Sequence, residues 1–150
     1  MSIYIHKSHN VSVLLYHLVC VAKYRLPVFT ERADDCLREV CAEIALRYEL
    51  HFLEVGTDIN HVHFLIQSVP KLSPSRLTQV IKSITARELL ERVSGLREAM
   101  WGAGLWTDGY CINTVSRTGS EKVIHNYVKN QGSGNKSNYV ALHKGQLGLT

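Results

Sequence analysis

The sequence predicts an α+β fold, one antiparallel sheet with helices packed on it, from three observations. Runs rich in Val, Ile, Leu and aromatic residues alternate with stretches whose apolar residues return every three or four positions, in the order strand, helix, strand, strand, helix, strand, helix. That order is the ferredoxin-like or RRM-like pattern, a sheet covered on one face by its helices. The third observation is size: 150 residues, 45% hydrophobic and 20% charged, suffice for one compact domain burying about two thirds of its unfolded surface and exclude a wholly disordered chain. A formal net charge of +4 favours a polyanionic partner without requiring one.

Met1 to Asn10 is polar, carries His6, Lys7 and His9 without a period, and reads either as a loose terminus or as a basic arm. Val11 to Val21 has the Val, Leu and Tyr content of a central strand; it is interrupted by Ser12, Tyr16 and His17 and too short for the ~20 residues that cross a bilayer. Lys23, Tyr24 and Arg25 follow, with Pro27 closing the strand. An aromatic between two cations suits a nucleotide, because stacking and phosphate contact come from adjacent residues; a solvated strand end is the alternative. Thr30 N-caps a helix with acidic Glu31, Asp34 and Asp35 at its positive end, and Ala33, Leu37, Val40, Cys41, Ile44, Ala45 and Tyr48 form its buried face.

His51 to Thr57 and His61 to Val69 read as two strands joined by a turn at Asp58 to Asn60, and Pro70 ends the second. Ser73, Pro74 and Ser75 start another helix through Leu77, Val80, Ile81, Ile84, Leu89 and Leu90, leaving Arg76, Lys82 and Arg87 on other faces, as phosphate contacts or as plain solvated charges. Gly95, Gly102 and Gly104 mark a loop around Met100 and Trp101; Thr107 to Ser116 returns to strand, and Gly119-Ser120 opens a last helix. The domain is expected to span 1–132. From Gly132 the composition shifts to Gly-Ser-Gly-Asn-Lys-Ser-Asn, and the tail, 133–150, is expected to be flexible or to dock on a partner subunit through Tyr139 to Leu142. Cys20, Cys36, Cys41 and Cys111 show no Cys-x-x-Cys spacing and no secretory signal precedes them, so reduced thiols in a cytoplasmic protein are expected.

Chemistry concentrates in Thr57-Asp58-Ile59-Asn60-His61-Val62-His63-Phe64. Alternation along a strand puts His61 and His63 on one face and Val62 and Phe64 on the other. Two imidazoles so placed are either partly buried strand histidines or two ligands of a metal, and a metal needs a third ligand. Tyr127 and Gln131, four apart on the last helix, would present a hydroxyl and an amide to the same neighbour.

His61-Val62-His63 followed at a distance by a helical Tyr127-x-x-x-Gln131 resembles the single-tyrosine (Y1) transposases of the IS200/IS605 insertion-sequence family, within the HUH endonuclease superfamily. Val21 to Phe29 is similar to the family's lysine-tyrosine-arginine segment, and Leu105-Trp106-Thr107-Asp108-Gly109-Tyr110 to its tryptophan-containing approach to a strand. One departure is Asn60, where an aspartate often precedes the first histidine; Asp58 lies two positions earlier. The resemblance implies a transposase that cleaves and rejoins single-stranded DNA at element ends. Tyr127 would be its nucleophile, with His61, His63 and Gln131 holding Mg²⁺ or Mn²⁺ and Lys23, Tyr24, Arg25, Arg76, Lys82 and Lys129 contacting DNA. It also implies recognition of DNA hairpins and a homodimer in which one subunit's tyrosine helix can serve the other's histidines, in a bacterial or archaeal cytoplasm at the nucleoid. A domesticated repeat-associated HUH nuclease and a non-catalytic single-stranded nucleic-acid-binding module are the alternatives. A histidine-triad hydrolase is poorer, since position 65 is Leu where a third alternating histidine would be needed.

Overall fold

The computed structural model describes residues 5–6, 11–115 and 139–141, with side chains from 13 to 115. Strands β1 (Ile5–His6) and β2 (Val11–Ser12) pair as a small ribbon; β3 (Leu14–Val21), α1 (Glu31–Tyr48), β4 (His51–Thr57), β5 (His61–Ser68), α2 (Pro74–Arg92), the short α3 (Leu96–Ala99), β6 (Cys111–Val115) and β7 (Tyr139–Ala141) follow. The main sheet has the order β6-β3-β5-β4-β7, and every pairing in it is antiparallel. Leaving aside β7, each helix-linked strand pair brackets another strand, β5 between β3 and β4 and β3 between β5 and β6, which is the ferredoxin-like arrangement the sequence predicts.

Both long helices start where expected. Thr30 Oγ1 accepts from Ala33 N at the head of α1, and Ser73 Oγ accepts from Arg76 N above Pro74 at the first turn of α2. Their apolar stripes, including Leu37, Val40 and Ile44 of α1 and Leu77, Ile81 and Leu89 of α2, meet Leu18, Phe52, Phe64 and Ile66 of the sheet in one core. A separate small cluster of Leu65, Leu53 and Val115 lies apart from that core. Trp106 joins the main core by stacking on Phe29 at 5.4 Å, and its indole N–H donates to Thr85 Oγ1 at 3.0 Å while the Thr85 hydroxyl donates to Ile81 O.

Several boundaries differ from the sequence reading. The expected strand from Val11 to Val21 breaks at Val13, because Val11–Ser12 pairs with Ile5–His6 and only Leu14–Val21 enters the main sheet. Lys23–Arg25 is a tight turn with left-handed backbone at Tyr24 and Arg25 rather than a strand end. The strand expected from Thr107 starts at Cys111, since Trp106 makes an isolated bridge to Ala22 and the chain loops before rejoining β3. Tyr139–Ala141, read as tail, adds to the outer edge of β4 opposite Glu54, Val55 and Gly56. Cys20, Cys36 and Cys41 are buried free thiols as expected, whereas Cys111 is exposed. The helix that would carry Tyr127 lies outside the described residues.

Thr85→Val keeps the shape of the side chain but leaves the buried Trp106 N–H without its acceptor. A loss of about 1–3 kcal/mol is expected, read as a lower urea midpoint at unchanged m-value; an unaltered midpoint would show that the indole bond is dispensable.

Candidate functional site

The hairpin that carries the histidines is held at its tip from outside. Asp58 N–H donates to His61 O at 2.9 Å across the turn, and Asp58 Oδ1 accepts from Ile59 N. Ala22 N–H then donates to Asn60 O at 2.8 Å and Phe29 N–H to Ile59 O at 3.0 Å, so both ends of the Lys23–Arg25 turn region grip the loop immediately before His61. Thr57 Oγ1 donates to Asp34 on α1, itself paired with Arg38. A turn fixed by so many partners presents its side chains with little reorganisation.

Register decides which face the imidazoles take. Val62, Phe64 and Ile66 of β5 lie opposite Cys20, Leu18 and Tyr16 of β3 on the helix side, all buried in the main core. His61 and His63 therefore lie on the other side of the sheet. Their ring centroids are 4.8 Å apart, and across from His63 on β4 stands Gly56, which places no side chain beside it. His17 of β3 is on the same face, its ring stacked on that of His63 at 5.7 Å and 17°. Sequence reasoning passed over His17 as an interruption of an apolar run; its odd-numbered phase with Leu15 and Val19, against the core phase of Tyr16, Leu18 and Cys20, was the available signal. Gln67, buried further along the same face, was also missed.

His63 is 3% exposed, and burial, reinforced by the neighbouring His61 and His17 rings, lowers its pKa to about 3. Burial alone lowers His17 to about 4. Both are neutral near pH 7, the state a metal ligand requires. The His61 ring Nδ1 lies 2.7 Å from Asn60 Oδ1; with that oxygen accepting, Nδ1 carries the proton and Nε2 keeps its lone pair, the way an outer partner fixes a ligand tautomer. Among the described residues, His61 Nε2 and both ring nitrogens of His63 have no hydrogen-bond partner. Buried imidazole nitrogens of this kind fit a divalent metal. Among the described residues no cluster of three or more His, Cys, Asp or Glu could hold one, so a further ligand must come from elsewhere in the chain or be of another type.

The cations expected to meet DNA have diverse surroundings. Lys23 Nζ donates to Ala103 O at 3.2 Å, Tyr24 is 61% exposed, and both Tyr24 and Arg25 have left-handed backbones, φ 59° and 53°. Arg76 is exposed on the first turn of α2 with one N–H on Gln79. Lys82 is turned inward: its ammonium donates to the carbonyls of Thr107, Asp108 and Gly109 at 2.8, 3.2 and 3.2 Å and sits over the Tyr110 ring. All three of its protons are thereby engaged, which makes Lys82 the residue that shapes the 107–109 loop. An open groove of about 730 Å³ runs between α2 and that loop, lined by Lys23, Thr78, Gln79, Lys82, Trp106 and Tyr110 among others. Tyr127, Gln131 and Lys129 lie outside the described residues.

The His61-Val62-His63 pair on β5 agrees with what the sequence's resemblance to the HUH endonuclease superfamily implies. Within it the chain belongs to the IS200/IS605 transposases: the family model described as "Transposase IS200 like" matches residues 10–131. The ISDra2 transposase TnpA of Deinococcus radiodurans is 30% identical over 118 residues, 79% of this chain and 84% of that protein. The transposase for insertion sequence element IS200 of Salmonella typhimurium is 25% identical over 116 residues, 77% of this chain and 75% of its own. A crystal structure of a candidate transposase from Deinococcus radiodurans R1 superposes with a TM-score of 0.68 at 28% identity, covering 85% of this chain and 97% of that one. A REP-associated tyrosine transposase bound to a REP hairpin shares the fold, with a TM-score of 0.51 at 13% identity over 88% of this chain and 76% of its own. DNA transposition by an insertion-sequence transposase is thus the activity of the family. No helix among the described residues is long and apolar enough to cross a membrane.

Depressed histidine pKa values link folding to pH. Below the ordinary value of 6.5 the unfolded chain binds protons at His17 and His63 while the folded chain does not until about 4 and about 3. Stability is therefore complete above pH 6.5 and falls as pH drops toward 4, by up to about 1.4 kcal/mol per pH unit for each histidine. Urea midpoints across that range should fall for the native protein and fall less for His63→Asn; parallel curves for the two would remove His63 from the linkage.

Proposed function

We propose that this transposase cleaves and rejoins single-stranded DNA at insertion-sequence ends through a covalent link to Tyr127, with a divalent metal, Mg²⁺ or Mn²⁺, held by His61, His63 and Gln131. The reading is carried by one observation: His61 and His63 share a face of β5, 4.8 Å apart, just after a turn gripped by Ala22 and Phe29, with His61 Nε2 and both His63 ring nitrogens lacking hydrogen-bond partners among the described residues. Tyr127 and Gln131 fall inside the span matched by the family model.

In the proposed reaction the Tyr127 oxygen attacks the scissile phosphorus, a P–O–tyrosine bond forms, and the P–O3′ bond breaks. The product strand leaves with a protonated 3′-hydroxyl, and its neighbour stays attached to the protein through a 5′-phosphotyrosine. A later 3′-hydroxyl reverses the step on a new strand without ATP, since the phosphodiester energy is kept in the covalent link. When bound, the metal would act as a Lewis acid on the phosphate oxygens. His61 and His63 would hold it through ring nitrogens, with Asn60 orienting His61, and Gln131 would offer one amide oxygen, a weaker donor than a carboxylate.

Lys23, Tyr24, Arg25, Arg76 and Lys129 are the proposed DNA contacts, with Lys82 acting through the loop it holds. The bound REP hairpin of the REP-associated relative supports hairpin DNA as the partner. We place the domain within 1–132, with the tail at 133–150 adding β7 to the edge of its sheet, and assign the protein to the bacterial or archaeal cytoplasm, at the nucleoid. The active form is a homodimer in which Tyr127 of one subunit can serve the histidines of the other; the outer edge of β6, unpaired among the described residues, is a surface on which a second copy can pair.

Incubation with single-stranded DNA from the flanks of its own element and Mn²⁺ should yield a protein–DNA adduct stable to denaturation. Tyr127→Phe removes the attacking oxygen and keeps the ring, so the adduct should vanish while hairpin binding changes little; an adduct with the Phe variant would refute the nucleophile. His63→Ala should lose metal-stimulated nicking and Gln131→Ala should weaken Mn²⁺ binding and its enhancement by DNA. Unchanged Mn²⁺ titrations in Gln131→Ala would dismiss that ligand.

A further inference from the structure

Among the described residues four non-glycine residues have positive φ: Tyr24, Arg25, Glu49 and Trp101. Glu49 caps the end of α1. The other three meet at one place on the surface, where the Tyr24 and Trp101 rings stand 6.2 Å apart and tilted by 42°. A left-handed backbone is unfavourable for any residue with a Cβ, and such strain gathers where a side chain is held for use.

Neither the backbone nor the core calls for an indole at Trp101. The chain there is closing α3, with Trp101 N–H on Glu98 O and Gly102 N–H on Arg97 O, a role glycine fills with less strain. The side chain is 77% exposed, and Tyr24 is 61% exposed. The two loops are nonetheless fastened together: Lys23 Nζ donates to Ala103 O at 3.2 Å and Lys23 N–H to Leu105 O at 2.7 Å. The tilt leaves aromatic surface open to a third ring. Around it the segments 22–26 and 96–104 carry Lys23, Arg25 and Arg97 against a single acid, Glu98.

Position supplies the occupant. Lys23 follows Ala22, whose N–H is bonded to Asn60 O just before His61, so the aromatic pair lies past the same sheet end as the histidine pair. Lys23, Ala103 and Gly104 also line the groove along α2. Resting on the single-stranded DNA reading above, we propose that Tyr24 and Trp101 form an aromatic platform that stacks an unpaired base of the bound strand, with Arg25 and Arg97 taking the flanking phosphates. Stacking tolerates any base, so the platform adds affinity and strand placement without sequence choice.

The test compares fluorescein-labelled oligo(dT) of about 12 nucleotides, within the usual site sizes, with an abasic strand of the same length and charge. Native protein should bind the abasic strand about tenfold more weakly, the loss of stacked bases. Trp101→Gly, which suits the φ of 54°, should match or exceed the native thermal midpoint yet bind oligo(dT) about tenfold more weakly, with the abasic strand little changed; Trp101→Phe, which keeps a ring, should stay within about threefold of native. Equal affinity of Trp101→Gly and native protein for oligo(dT), or of native protein for the two strands, overturns the platform. So does a fall in sedimentation mass in Trp101→Gly, which would make this face a contact between copies. Native protein that still forms the Tyr127 adduct while Trp101→Gly behaves as native loses only the platform; base-dependent binding without any adduct loses only the cleavage reading.

Discussion

Strand β5 sets the terms for the rest of the molecule. It lies between β3 and β4, and its even-numbered residues Val62, Phe64 and Ile66 are fully buried against both helices. Because strand side chains alternate, burying that set in the helix-side core forces His61 and His63 to the opposite face; a slip of one residue would drive two imidazoles into an apolar core and take three large hydrophobes out of it. The register that stabilises the domain is the register that assembles the site.

The same face stores a folding cost. His63 and His17 are kept neutral by burial, and His61 Nε2 and both His63 ring nitrogens have no hydrogen-bond partner among the described residues. Unpaired buried nitrogens are unfavourable for folding alone and suit a ligand that supplies what the chain withholds. Asn60 and the backbone donors of Ala22 and Phe29 hold the turn in shape before any ligand arrives, so affinity is not spent on ordering it.

Charge is distributed with more economy than its sum suggests. Lys82 gives all three donors to the 107–109 carbonyls, and Arg92 is occupied with Glu43 and Glu88. What remains near the site end of the sheet is a small set of cations beside two exposed aromatics, a surface suited to a strand with bases as well as phosphates.

The sequence by itself determined the layout: the helix starts at Thr30 and Ser73, the hairpin at Asp58 to Asn60, and the shared face of His61 and His63 all follow from capping chemistry and strand alternation, which act over a few residues. Family motifs added Tyr127 and Gln131, which lie outside the described residues. Tertiary structure alone decided that His17 stacks on His63, that Lys82 faces inward, that Tyr139–Ala141 extends the sheet, and that Tyr24 meets Trp101. Each joins positions far apart in the chain, and no local periodicity encodes such a pairing: it depends on strand order and on where a side chain's hydrogen-bond donors find acceptors once the sheet has closed.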